Sequence, residues 1–156
     1  MASRYALAMD SRDLDALVEL FVEDVRVGRE ASGREALRRD FARQLRELGT
    51  SILFVGNHVI DFQDADHASG SVYCKAEIQL GERWIRQAIL YRDRYEKRRG
   101  HWYFLRRQHL LFYGADFDQK PLGLPPANWP ENATGMGSLP EGFESWKRFL
   151  DDEGGA

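Results

Sequence analysis

The sequence predicts an α+β cone, a curved antiparallel sheet wrapped around N-terminal helices with a cavity between the two layers. Three observations carry this. Helical apolar spacing dominates the first fifty residues, alternation with a period of two runs over residues 50–113, and the second of the alternating strands is apolar on one face only. A half-apolar sheet needs a cover, and the amphipathic helices are the segments able to supply it.

Residues 2–9 read as a short helix that breaks at Asp10, Ser11, Arg12 and Asp13. Leu14, Leu17, Val18 and Phe21 then recur at i, i+3, i+4 and i+7, which predicts a helix over 13–22 with an inward stripe. A short strand is expected at 25–29. Ser32, Gly33, Arg34 and Glu35 form a capping-box pattern that opens a third helix, with Leu37, Phe41, Leu45 and Leu48 on its apolar face and Gly49 at its end. Four strands follow, separated by DADH, GE and RG. The second alternates cleanly, with Val72, Cys74, Ala76 and Ile78 on one face and Tyr73, Lys75 and Glu77 on the other. The division expected is residues 1–114 as the cone domain and 115–156 as a loop-rich extension. The latter holds all five prolines and has one helical signal around Trp146, Phe149 and Leu150. Trp129 or Trp146 is expected to pack the extension onto the domain or a partner subunit.

A net charge of -3 with both signs interspersed gives no field for nucleic acid or an anionic membrane. With Cys74 the single cysteine, there is no internal disulfide and no multi-cysteine metal cage, and no histidine and carboxylate set shows metal-ligand spacing. The expectation is a cytoplasmic protein with neither metal nor cofactor.

Several segments together resemble the SnoaL-like branch of the nuclear transport factor 2 superfamily, which also includes ketosteroid isomerase, scytalone dehydratase, hexachlorocyclohexane dehydrochlorinase and bile-acid 7α-dehydratase. They are Tyr5 to Asp10 followed by DLDALVELFVEDV, the helix start at 33–37, NHVID at 57–61, the triplet Tyr91, Asp93, Tyr95, and RGHWYFLRR at 99–107. The similarity covers roughly residues 3–113. It implies cofactor-free chemistry in the cone, with Asp10 at the catalytic aspartate position, Tyr5 at an active-site tyrosine position and Arg107 supporting the dyad. The histidine position of those relatives carries Leu53 here and a second carboxylate position carries Ala76, so the family dyad is incomplete.

In the strand phase of the resemblance, Leu53, Val55, Asn57, Val72, Cys74, Ala76, Gln87, Ile89, Tyr91 and Leu111 line the pocket. Arg107 and His109 point into it, with Arg107 paired to Asp10 or Asp93. His58 points outward on this phase. An apolar lining raises a carboxyl pKa and makes Asp10 usable as a base or acid near neutrality. Tyr5 or His109 would be its acid partner, and His109 is the histidine whose phase could replace the one lost at Leu53. The expected function is a cofactor-free lyase or isomerase, dehydratase- or cyclase-like, acting on a small apolar cyclic metabolite such as a polyketide or steroid-like compound. The alternative is a non-catalytic small-molecule-binding or dimeric scaffold protein. An outer face carrying Tyr73, Trp84 and Phe104 predicts a homodimer.

Overall fold

The computed structural model describes residues 1–118, 123–126 and 140–151. Three helices come first: α1 (Ala2–Ser11), α2 (Leu14–Glu19) and, after a two-residue hairpin of β1 (Arg26–Val27) and β2 (Ala31–Ser32), α3 (Arg34–Arg46). Four strands then run in sequence, β3 (Ser51–Phe62), β4 (His67–Leu80), β5 (Arg83–Arg98) and β6 (His101–Asp116), each antiparallel to the next. A 3-10 turn at Pro140–Gly142 and α4 (Glu144–Asp151) close the described chain. This is the α+β cone, and its core lies between the helices and the concave face of the sheet. Leu17, Val22, Leu45, Val72 and Phe104 are its most enclosed side chains.

Local chemistry sets the element ends. Arg12 adopts the left-handed conformation (φ 58°) that stops α1, and the Asp13 carboxylate accepts from Ala16 N at 3.0 Å to start α2. That helix is shorter than the apolar spacing suggested, because Phe21 forms a parallel bridge to Phe104 and Val22 N donates to Phe104 O, drawing the chain onto β6. The capping box does not form: α3 starts at Gly33 (φ 92°) with no side-chain cap, and Ser32 belongs to β2. The helix also ends at Arg46 rather than at Gly49.

Three one-residue irregularities interrupt the pairing, one of them near the end of β6, where Phe112 is left unpaired between Leu111 with Ile89 and Tyr113 with Ala88; the other two change which side chains face inward. In β3 the pairing jumps from Val55 with Cys74 to His58 with Val72, leaving Gly56 and Asn57 against Tyr73. In β6 it passes from Arg106 with Arg94 to Phe104 with Tyr95, leaving Leu105 unpaired. A bulge moves every later residue to the other face. Asn57 is therefore turned away from the cavity, whereas His58, although still exposed, falls on the Tyr95 side of the sheet against the phase expected for it, with Nε2 3.0 Å from the Tyr95 hydroxyl. Phe104, expected on the outer face, is enclosed in the core, and Trp84 is 2% exposed, its indole N–H donating to Glu77 at 3.0 Å. Tyr73, with Phe112 packed edge-on at 5.6 Å, does lie exposed on the outer face.

Trp146 of α4 is buried and covers the Arg12 guanidinium at 4.2 Å, while Ser145 Oγ donates to Ser11 O at 2.8 Å. Trp129 lies outside the described residues.

Candidate functional site

The inner face of the sheet, α1 and α3 enclose a cavity of about 340 Å³. Tyr5 and Met9, one helical turn apart on α1, form one wall. Phe41, Gln44 and Asp40 of α3 form another, and Leu53, Ala76, Gln87, Ile89 and Tyr91 form the floor, with Arg107 and His109 at the β6 side.

The strongest electrostatic feature is a buried ion pair. Arg107 grips Asp93 with both arms, Nε to Oδ1 at 2.8 Å and Nη2 to Oδ2 at 2.7 Å, and the two side chains are 4% and 0% exposed. Of the two partners expected from the sequence, Arg107 takes Asp93. Burial disfavours the Arg107 charge, but the Asp93 hydrogen bonds and charge outweigh it and raise its pKa. The guanidinium lies against the rings of Tyr5, Tyr91 and Phe104 at 4.3–4.4 Å. Its remaining nitrogen, Nη1, is buried and has no hydrogen-bond partner among the described residues. A fork clamped on one side therefore leaves a cationic donor unused beside the cavity.

The neighbouring hydroxyls are uncharged. Burial pushes Tyr5 up to about 12 and raises Tyr91 further, so both are proton donors at neutral pH rather than bases. Tyr5 is ringed by Phe21, Phe41, Tyr91 and Phe104 at 5.9–6.4 Å. His109 lies beside Tyr91, their ring centroids 5.7 Å apart, and burial lowers its pKa below the ordinary histidine value. A neutral imidazole can accept a proton.

Asp10 sits differently from the lining side chains. Its Oδ2 accepts from Leu53 N at 3.0 Å, so it caps the edge strand β3, and its Oδ1 is buried without a hydrogen-bond partner among the described residues. Burial raises its pKa to about 6 against the lowering effects of the Leu53 amide, Arg12 and Ser51. The sign of the resulting pH effect follows. A carboxyl whose pKa is higher folded than unfolded contributes its stability below about pH 4 and loses it as pH rises through about 6. Unfolding midpoints of wild type and Asp10→Asn are therefore expected to differ in favour of the variant at pH 7, with the difference shrinking on acidification between about pH 6 and 4. A constant difference across this window would show that Asp10 ionises normally.

Several sequence-predicted lining residues lie elsewhere. Val72 and Cys74 belong to the solid core, and burial raises the Cys74 thiol to about 11, which makes it inert. Val55 packs against that core without lining the cavity, Asn57 is displaced by the β3 bulge, and Leu111 is 53% exposed beyond the reach of the helices. The sequence reading missed the α3 side chains Asp40, Phe41 and Gln44 as cavity wall. Phe41 shared the apolar spacing of Leu37 and Leu45, and Gln44 follows Asp40 at i+4, so helical phase alone carried the signal. Arg12 was also missed. It is buried, donates to Met9 O, Gly49 O and Ser51 Oγ at 2.5–2.7 Å, and desolvation lowers its pKa to about 10. Nothing in the local sequence distinguishes it from a surface arginine.

Among the described residues no group of three or more His, Cys, Asp or Glu side chains is placed to hold a metal ion, and no helix is long and apolar enough to cross a membrane.

Residues 1–108 match the model of the SnoaL-like domain family. Among solved structures, the chain is similar to a hexachlorocyclohexane dehydrochlorinase, LinA type 2, at 20% identity over 83% of this chain and 89% of that one, with a TM-score of 0.67. It is also similar to the LinA type 3 dehydrochlorinase of Novosphingobium barchaimii (21% identity, 75% and 85% covered, TM-score 0.67). A putative scytalone dehydratase of Novosphingobium aromaticivorans is a third (22%, 76% and 84% covered, TM-score 0.64). At these identities the likeness establishes the fold. No curated protein matches the sequence.

Proposed function

Since the chain belongs to the SnoaL-like domain family, we propose that its cavity carries cofactor-free lyase or isomerase chemistry on a small, mostly apolar ring compound bearing a carbonyl or hydroxyl oxygen. The observation that carries this is Arg107 Nη1, a buried cationic donor fixed by Asp93 and without a hydrogen-bond partner among the described residues, beside a mostly apolar cavity. A polar group so placed costs free energy unless a ligand satisfies it.

In this reading the substrate oxygen accepts from Arg107 Nη1 and from the hydroxyl of Tyr91 or Tyr5. The neutral His109 takes a proton from the carbon next to the carbonyl. The C–H electron pair moves into a C=C bond and the carbonyl pair onto oxygen, where the fixed charge and hydroxyls stabilise the anion without reorganising. Return of the proton at another carbon completes an isomerisation, and departure of a group from the β carbon with its bonding pair completes an elimination. One observation favours Asp10 as a second proton carrier: its unpartnered Oδ1 and its pKa of about 6 suit proton transfer near neutrality. The similarity to structures named as dehydrochlorinases and a dehydratase supports the elimination form.

The test is hydrogen–deuterium exchange at the α carbon of a panel of cyclic ketones, followed by proton NMR in heavy water. Wild type is expected to speed exchange on at least one ring ketone. His109→Gln is expected to lose about 10²–10⁴-fold, the worth of a positioned general base, with Asp10→Asn much less affected. The reverse order of the two variants assigns the base to Asp10. Saturable binding of a ketone with no exchange by wild type makes the protein a binder and overturns the catalytic reading. We further propose pairing into a homodimer through the outer face, where Phe54, Tyr73 and Phe112 are exposed; sedimentation as a monomer at micromolar concentration contradicts it.

A further inference from the structure

Asp93 has a second holder besides Arg107. Tyr95, two residues along β5 and so on the same inner face, donates its hydroxyl proton to Asp93 Oδ2 at 2.7 Å. His58, brought to the Tyr95 side of the sheet by the β3 bulge, places Nε2 3.0 Å from the same Tyr95 oxygen. The tyrosine has one proton, and it is committed to the carboxylate. His58 must therefore donate through Nε2–H, which fixes its tautomer and leaves Nδ1 unprotonated in the neutral ring.

Room for this arrangement comes from Gly70. A Cβ there would stand 2.6 Å from the Tyr95 hydroxyl and 2.7 Å from its ring edge, so a side chain at position 70 would push the tyrosine off the sheet. Tyr95 pairs with Ala68 and with Phe104 across the neighbouring strands, and its ring centroid lies 5.5 Å from that of Phe104. The ring is thus wedged between small residues on one side and an aromatic on the other, with its oxygen aimed along β5.

We infer that Tyr95 and His58 are positioning residues: the chain His58, Tyr95, Asp93 locks the carboxylate that orients Arg107, and so fixes where its unpartnered Nη1 stands beside the cavity. Its functional meaning rests on the reading of Arg107 as the oxygen anchor, but the geometry can be tested without it. With both Asp93 oxygens engaged by Arg107 and one also by Tyr95, the carboxylate has no freedom to rotate. Without the tyrosine proton, Asp93 is held by Arg107 alone, and the pair can pivot together. Titration of His58 does not switch the lock, because the protonated ring still donates through Nε2.

The experiment uses two readouts on the whole protein. The first is the Arg107 Nε–H resonance in a nitrogen-15 NMR spectrum, identified by its loss in Arg107→Lys, with its exchange rate against water. The second is the affinity for phenol, a single-ring probe bearing one oxygen, by titration. Tyr95→Phe keeps the ring and removes the hydroxyl. Gly70→Ala keeps every polar group and displaces the hydroxyl. Both are expected to shift the Arg107 signal, speed its exchange by about tenfold through freer local opening, and weaken phenol binding. His58→Ala is expected to act in the same direction and His58→Gln, whose amide can donate from a similar place, to restore most of the protection. Tyr73→Phe on the outer face serves as the control and leaves the signal alone. An unchanged Arg107 signal in both Tyr95→Phe and Gly70→Ala overturns the inference. A changed signal with unchanged phenol affinity upholds the positioning network and instead refutes Arg107 as the ligand's anchor, so the two failures are distinct.

Discussion

Asp93→Ala is expected to lower the unfolding free energy by about 3–5 kcal/mol, because it leaves the Arg107 charge buried without its counter-ion. For a domain of this length that corresponds to a fall of about 10 °C in the thermal midpoint. The cause is stranded charge rather than lost attraction, and a second variant separates the two. Replacing both partners, Asp93→Leu with Arg107→Met, removes the charge that would be stranded and is expected to recover most of the loss. Such a double variant should be folded and inactive. If the pair contributed mainly by attraction, the double variant would be as unstable as Asp93→Ala. Chemical denaturation of the three proteins decides between them.

Trp146→Ala is expected to cost about 3 kcal/mol, the low end for emptying a buried tryptophan site. The indole covers the Arg12 guanidinium, which in turn holds the carbonyls of Met9 and Gly49 and the Ser51 hydroxyl, so α4 clamps the junction of α1 with β3. Glu141, whose carboxylate accepts from the Thr50 hydroxyl, adds a charge of the right sign near Arg12. Arg12→Met should cost a similar amount, since two carbonyls lose a charged donor. The two losses are expected to fall short of additivity by about 1 kcal/mol in the double variant, because each side chain is the other's partner. Full additivity would mean that the stacking contributes nothing.

The four long strands and the three early helices were legible because their periodicities are long and clean. The phase of β3 was legible as far as its bulge and that of β6 only beyond Leu105. Leu53, Ala76, Gln87, Ile89, Tyr91, Arg107 and His109 lie along the cavity from the strands, and Tyr5 joins them from α1. Asn57, His58 and Phe104 were placed on the wrong face, because a single inserted residue at Gly56–Asn57 and another at Leu105 reverse the alternation without changing composition. Gly56, a glycine inside an otherwise apolar strand, was the one local sign of the first bulge. Leu105 offers no such sign. The bulge that hid His58 is also what brings it to Tyr95, so the residue whose place the sequence concealed belongs to the network behind Arg107. Arg12 was illegible for another reason: its burial depends on α4, more than a hundred residues further along the chain.

A structure of the protein with phenol bound tests the central claim most directly. If Arg107 Nη1 is the donor that a substrate oxygen satisfies, the phenol oxygen will lie about 2.7–3.1 Å from it, with the ring between Tyr91 and Ile89 and the Asp93 ion pair unchanged. A phenol whose oxygen turns away from Nη1, or a ring bound outside this cavity, would contradict the account.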